Sequence, residues 1–216
     1  MYHWIEDKRF LGRMRALCSG LVNQLVQAIN NEEVLEVRQH LVGSGAKNLI
    51  TQNGSQPIDL DYNLEIIDCI EYDINNCRAI KEYVRKKFNE ILNRNGWDDC
   101  CDSTSALTTG TYYFTDGNGT EFSIDLCIVC LDSDGDMNRL IHQKTGYAAW
   151  DRYYWNKAAH SRGLEEHVQW LKKNGYWIEV REAYLKKKNM YLSRGDGDHP
   201  SFIVYIEAVN EVCTNH

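Results

Sequence analysis

LVGSGAKNLITQNGSQPIDLDYNL, Leu41 to Leu64, joins a small-residue turn to a run that carries two aspartates. The residues before it, Val34 to Val42, are rich in apolar side chains and predict a strand that ends at Gly43-Ser44-Gly45. Two glycines around a serine let main-chain N–H groups approach an anion closely, and Ala46 to Ile50 predicts a short helix whose N-terminus favours phosphate. From Ile58 to Leu64 the pattern has period two, so Leu60, Tyr62 and Leu64 point to one face while Asp59 and Asp61 point to the other. Two carboxylates on one face repel, which raises one pKa unless a cation lies between them, and such oxygen ligands suit Mg2+ or Mn2+. Each half has an ordinary explanation, a solvated strand face or a common loop. Their adjacency gives the pair its weight.

Around this stretch the chain has the balance of a globular protein: 216 residues, 43% hydrophobic, 25% charged, with a formal net charge of -7. The acidic balance argues against a protein that coats nucleic acid nonspecifically. No window reaches the eighteen or so consecutive apolar residues of a membrane span, and MYHWIEDKRF is charged where a secretion signal would be apolar, so a cytoplasmic location is expected. The eight cysteines are scattered within apolar patterns and read as reduced core residues. Cys127 and Cys130 have the spacing of a metal or redox pair, but on a strand positions three apart face opposite ways. Asn53-Gly-Ser55 and Asn118-Gly-Thr120 read as turns.

Elsewhere, helical spacing of Phe10, Leu11, Met14, Leu17, Cys18, Leu21, Leu25 and Ile29 predicts an opening helix from about Ile5. Ile74, Cys77, Ile80, Val84, Phe88 and Ile91 predict a second, stopped by Gly96, with Lys81, Arg85, Lys86 and Lys87 on its solvated face. Ala106 to Phe114 and Thr120 to Cys130 predict two strands of a hairpin turned at Asp116-Gly117-Asn118-Gly119. The second holds Asp125 among apolar neighbours, where an ionised carboxylate is costly unless paired or metal-bound. A half-exposed edge strand would also accommodate it; as a ligand it supplies the third carboxylate of a two-metal site. Asp132 to Asn138 has the acid spacing of a calcium loop, but with a misplaced glycine and Gln143 where Glu is required it reads as a polar loop. Beyond it the aromatic residues Trp150, Tyr153, Tyr154 and Trp155 and the segments 164–173, 178–188 and 201–212 predict a helical region, broken at Gly175 and with His199-Pro200 before its last helix. The histidines, including His160 and His167, show no ligand spacing.

Gly43-Ser44, then Asp59 and Asp61, then Asp125 on a later strand is an order that resembles the polymerase-β-like nucleotidyltransferase superfamily. Gly43-Ser44-Gly45-Ala46-Lys47 looks most like the turn of its oligoadenylate-synthetase and cyclic-dinucleotide-synthase branches, although Asn48-Leu49 stand where a Gly-Thr pair is usual. The resemblance covers about residues 5–130. It implies an α+β fold with a small mixed sheet flanked by helices, a catalytic core over 1–135 and a helical lobe over 136–216 packed on it. It implies transfer of a nucleoside monophosphate from an NTP donor to a hydroxyl acceptor, with Asp59, Asp61 and Asp125 as catalytic and metal ligands for Mg2+ or Mn2+. Gly43, Ser44 and Lys47 would hold phosphates, and the C-terminal lobe would add basic residues and a ring over the base. Lys188 and Tyr184 are the candidates there, with Lys172, Lys173, Lys186 and Lys187 as further cations. An antibiotic hydroxyl, a second nucleotide, a tRNA end and a protein side chain are all compatible acceptors. A nucleotide-binding or partner-binding module of the same fold without catalysis is the alternative.

Overall fold

The computed structural model describes residues 1–158, 163–196 and 201–216. Its elements are β1 (Tyr2–Trp4), α1 (Lys8–Asn31), β2 (Leu35–Leu41), α2 (Gly43–Lys47), β3 (Thr51–Asn53), β4 (Ile58–Cys69) and α3 (Cys77–Arg94), followed by β5 (Cys101–Asp102), β6 (Leu107–Thr108), β7 (Phe122–Leu131), β8 (Met137–Gln143) and β9 (Arg152–Lys157), then α4 (Leu164–Lys173), α5 (Trp177–Ser193) and α6 (Ser201–Asn215). His160, His199 and Pro200 lie outside the described residues. No described helix is long and apolar enough to cross a membrane.

The main sheet of the described residues runs β2-β4-β7-β6-β5, with β8 paired to β7 and β9 to β8. β4 and β7 are parallel, because the chain between them crosses over through α3, whereas the neighbouring pairings are antiparallel. The result is the mixed α+β arrangement that the resemblance implies. Alternation decides what each face of the sheet does. Leu60, Tyr62 and Leu64 of β4 and Phe122, Ile124, Leu126 and Ile128 of β7 share one core with the apolar stripes of α1 and α3. Each large apolar side chain buried there contributes roughly 1.5–3 kcal/mol. Asp7 caps α1 by accepting from the Phe10 N–H at 2.9 Å, and Asn76 caps α3 by accepting from the Ala79 N–H at 3.3 Å. The odd-numbered side chains of β4 and β7 are left to the opposite face.

A second core holds Leu171, Val180, Tyr184, Val204, Tyr205, Ala208, Val209 and Val212 of α4, α5 and α6, together with Leu49 from the connection after α2. Leu49 thus ties the segment that bears the small-residue turn to the C-terminal helices. β1 and β3 form a small antiparallel sheet beside them. Asn189 of α5 binds its edge twice, accepting from the Tyr2 N–H at 2.7 Å and donating to the Tyr2 carbonyl at 3.0 Å.

Three expectations are corrected. The aromatic-rich segment around Trp150 to Trp155 is not helical, and the helical region starts at Leu164 instead of 136, because β8 and β9 extend the sheet. The period-two pattern prevails over composition: Tyr153 and Trp155 pack toward the core, the Trp155 indole N–H donates to the Ile74 carbonyl at 2.8 Å, and the intervening Tyr154 is exposed. The first arm of the predicted hairpin shrinks to β6 and an isolated bridge between Tyr112 and Phe122. Lys81 is not on a solvated face but is 2% exposed, because its ammonium is matched by Asp102 at 2.6 Å.

Candidate active site

On the face of the sheet turned away from α1 and α3, the parallel register sets Asp61 beside Asp125 and Asp59 beside Ser123. The three carboxylates therefore come from two adjacent strands, and the sequence separation of Asp61 and Asp125 is closed by one crossover. Asp125 is on an interior strand, between β4 and the pair β6 and β8, so the edge-strand explanation does not hold. Asp59 is exposed; Asp61 and Asp125 are half-buried.

Hydroxyls hold two of the three. Ser123 Oγ donates to Asp59 Oδ1 at 2.5 Å and Thr108 Oγ1 donates to Asp125 Oδ1 at 2.6 Å. Among the described residues no hydrogen bond is made to the Asp61 side chain. Burial, then the charges of Asp125 and Asp59, push the Asp61 carboxyl up to about 6 against weaker attraction from Arg139 and Lys188. Burial also raises Asp125, opposed by the Thr108 hydrogen bond and supported by the Asp59 charge.

The small-residue turn is fitted to this strand. The Val42 N–H donates to the Asp61 carbonyl at 2.9 Å. Gly43 has φ +62, and a Cβ there would lie 2.3 Å from Asp61 Oδ2, so both backbone conformation and space require glycine. Gly45 is buried, and its Cβ would meet Leu60 Cδ2 at 2.9 Å. The short helix starts earlier than Ala46: α2 spans Gly43–Lys47 and ends where Asn48 adopts the left-handed conformation at φ 59, with the Leu49 N–H on the Ser44 carbonyl at 3.0 Å. Ser44 is thus inside the first turn of the helix, not ahead of it.

A cavity of about 800 Å³ opens over this floor, walled by the β1–β3 sheet and the C-terminal helices. Gly43, Ser44, Lys47, Asp59, Asp61, Asp125, Tyr184 and Lys188 all line it. Lys188 is tied to Thr51 Oγ1 at 3.1 Å and lies over the Tyr2 ring at 4.0 Å. Burial lowers its ammonium to about 8, opposed by the charges of Asp61 and Asp59. Burial also lowers Lys47, whose ammonium faces the Tyr205 ring at 5.1 Å. Tyr184 reaches the cavity only at its margin: it is 2% exposed and its ring is packed against Trp4. Phe202, 38% exposed, presents a ring on the cavity wall. Lys172, Lys173, Lys186 and Lys187 do not line the cavity; Lys187 pairs with Glu211 at 2.7 Å and Lys172 lies over the Trp177 ring at 4.7 Å.

Sequence reasoning missed Ser123, Thr108, Arg139 and Phe202. Ser123 was accessible, two residues before Asp125 on the same face. Arg139 and Thr108 were not, since their positions depend on which strands neighbour β7. Cys127 lines the cavity while Cys130 packs in the opposite core, as the strand spacing predicts. All eight thiols are free.

Among the described residues no three His, Cys, Asp or Glu side chains are gathered closely enough to form a metal cluster. The donor chemistry nevertheless fits a hard divalent cation: all three groups are carboxylates, and among the described residues nothing donates a hydrogen bond to the Asp61 carboxylate, whose attraction to Arg139 and Lys188 is outweighed by burial and by Asp125 and Asp59.

No family model and no curated protein matches the sequence. Solved structures do. Escherichia coli MS115-1 CdnC bound to ATP is 14% identical, with a TM-score of 0.56 over 95% of this chain and 61% of that one. The same protein in complex with HORMA-deltaN gives 13% identity and a TM-score of 0.55 over 95% and 60%. Vibrio cholerae DncV cyclic AMP-GMP synthase, in complex with the linear intermediate 5' pppA(3',5')pG, is 15% identical with a TM-score of 0.54 over 82% of this chain and 47% of that one. The chain spans less than two thirds of the length of these structures. It shares the fold of CdnC and of the DncV cyclic AMP-GMP synthase, in line with the mixed α+β fold that the order Gly43-Ser44, Asp59, Asp61, Asp125 implies.

Proposed function

We propose that the protein is a metal-dependent nucleotidyltransferase that moves a nucleoside monophosphate from an NTP to a hydroxyl and releases pyrophosphate. The observation that carries this reading is the register of Asp61 against Asp125, with Asp59 on the same face and Gly43 in contact distance of Asp61. Asp59, Asp61 and Asp125 would hold divalent cations, Mg2+ or Mn2+, which when bound would supply charge neutralisation at the phosphates and lower the pKa of the attacking hydroxyl. The amides of Gly43 and Ser44 and the Ser44 hydroxyl bind the β- and γ-phosphates, and Lys47 and Lys188 offset their charge. The acceptor oxygen forms its bond to the α-phosphorus as the bond to the β-phosphate oxygen breaks. Asp125, held at Oδ1 by Thr108, accepts the hydroxyl proton. Positioning and charge neutralisation carry such chemistry more than covalent help does.

A second nucleotide is the acceptor best supported among those the sequence allows, because DncV, whose fold this chain shares, is a cyclic AMP-GMP synthase with a linear dinucleotide bound. The test is incubation of the protein with each labelled NTP, Mg2+ or Mn2+, other NTPs and a cell extract, followed by identification of the labelled product. Metal-dependent pyrophosphate release that disappears in Asp59→Ala is expected. No release from any NTP, together with unchanged NTP binding in Asp59→Ala, would lead us to abandon the reading.

A further inference from the structure

Thr108, the donor to Asp125, lies on a strand of only two residues, paired to β5 at two positions and to β7 at two. Next to it Thr109 binds β7 in both directions, its N–H donating to the Ile124 carbonyl at 3.0 Å and its hydroxyl accepting from the Ile124 N–H at 2.9 Å, and the rest of the segment 101–108 is held by charged side chains. Lys81 Nζ from α3 stands 2.6 Å from Asp102 Oδ1 and donates to the Ser103 carbonyl at 2.8 Å. His142 of β8, 5% exposed, joins Asp102 Oδ2 at 2.8 Å and Asp151 Oδ2 at 3.0 Å through its two ring nitrogens. Its backbone N–H donates to the Thr104 carbonyl at 2.7 Å, and Lys144 donates to the Asp102 carbonyl. Ser103 closes the turn through its N–H and its hydroxyl, which donate to the Ala106 carbonyl at 3.0 and 2.9 Å. Charges buried this deeply are costly unless each is matched, and none of them takes part in the transfer described above.

We infer that the segment 101–108 is a positioning element for the third carboxylate. Thr108 is the positioning residue, and the Lys81–Asp102–His142 cluster anchors the segment that carries it. A strand carboxylate rotates about two side-chain bonds; one hydroxyl donated to Oδ1 selects a single orientation of the Asp125 carboxylate on the cavity floor. Threonine suits the task because its branched Cβ restricts the direction of the hydroxyl. Ser123 does the same for Asp59, whereas Asp61 has no such partner among the described residues. The significance of Asp125 in this inference rests on the nucleotidyl-transfer reading.

The test compares Thr108→Val, Thr108→Ser and Asp102→Asn with the unaltered protein. Mn2+ binding is measured by calorimetry without nucleotide, NTP turnover separately, and thermal stability alongside. Thr108→Val keeps the volume and removes the hydroxyl, and is expected to weaken Mn2+ binding and turnover by about 10- to 100-fold, the usual effect of losing an outer partner of a ligand. Its NTP affinity and melting temperature stay close to the original, and Thr108→Ser restores binding and turnover. Asp102→Asn lowers the melting temperature and weakens Mn2+ binding in the same direction. Mn2+ affinity unchanged in Thr108→Val overturns the inference, as does a protein that binds no Mn2+. Mn2+ affinity unchanged in a destabilised Asp102→Asn removes the anchor from it. If the unaltered protein binds Mn2+ but turns over no NTP, the transfer reading fails while the Mn2+ comparison still decides this one.

Discussion

Two groups of charged side chains in this molecule differ in whether they are neutralised. Lys81, Asp102, His142 and Asp151 form a closed set behind the sheet. There burial works against the Asp102 carboxylate, but the ammonium of Lys81 and then His142 outweigh it and hold the group below the usual range. Asp59, Asp61 and Asp125 form an open set of like charges, and the same burial, reinforced by neighbours of the same sign, pushes Asp61 up to about 6. A matched set is complete without a ligand, while an unmatched set facing a cavity is completed by one. The first group is therefore read as support and the second as the site.

The comparison breaks most readily at Lys81. Lys81→Met leaves Asp102 without its ammonium, and urea unfolding is expected to show a loss of about 3–5 kcal/mol, partly regained in Lys81→Met/Asp102→Leu. Asp61→Ala attacks the open set and should leave the fold intact while turnover falls by about 10²–10³-fold, in line with removal of a group that acts on developing charge. Gly43→Ala tests the fit between turn and carboxylate: with φ +62 and a Cβ 2.3 Å from Asp61 Oδ2, it is expected to cost roughly 1–3 kcal/mol and to weaken turnover, read from melting temperature and pyrophosphate release.

The smallest effect gives the sharpest contrast. The folded-state pKa of Asp61, about 6, lies above its ordinary value of 3.8, so its protonated form suits the fold. That contribution is complete below pH 3.8 and is lost as the pH rises through about 6. In metal-free protein Asp61→Asn should therefore be more stable than the original by roughly 1–2 kcal/mol at pH 7.5, with the difference shrinking toward pH 4. Saturating Mg2+ should reverse the order, because only the original binds it fully. An Asp61→Asn protein no more stable than the original at pH 7.5 would remove the distinction between the open and the closed set.

Much of the candidate site was legible in the chain because its signals are local. The period-two run Ile58 to Leu64 places two aspartates on one face whatever surrounds it, and a Gly-Ser-Gly turn before it needs no distant partner to be recognised. Errors arose where neighbours decide. Lys81 was read with Arg85, Lys86 and Lys87 as a solvated face, since nothing near it in sequence announces Asp102. The aromatic residues 150–155 suggested helix by composition, although their alternation fits the edge strand that β8 provides. Phe202 on the cavity wall was not singled out either, since its place there depends on how α6 packs.

The sequence by itself determined the two amphipathic helices, the small-residue turn and the pair of aspartates on one strand face, because each depends on periodicity or turn chemistry within a few residues, and the α+β class followed from the resemblance that their order carries. Only the tertiary structure decided that Asp61 faces Asp125, that Thr108 and Ser123 orient two of the carboxylates, and that Lys188 reaches the floor from α5. Strand order and register are set by long-range pairing, and neither is encoded in any single stretch of the chain.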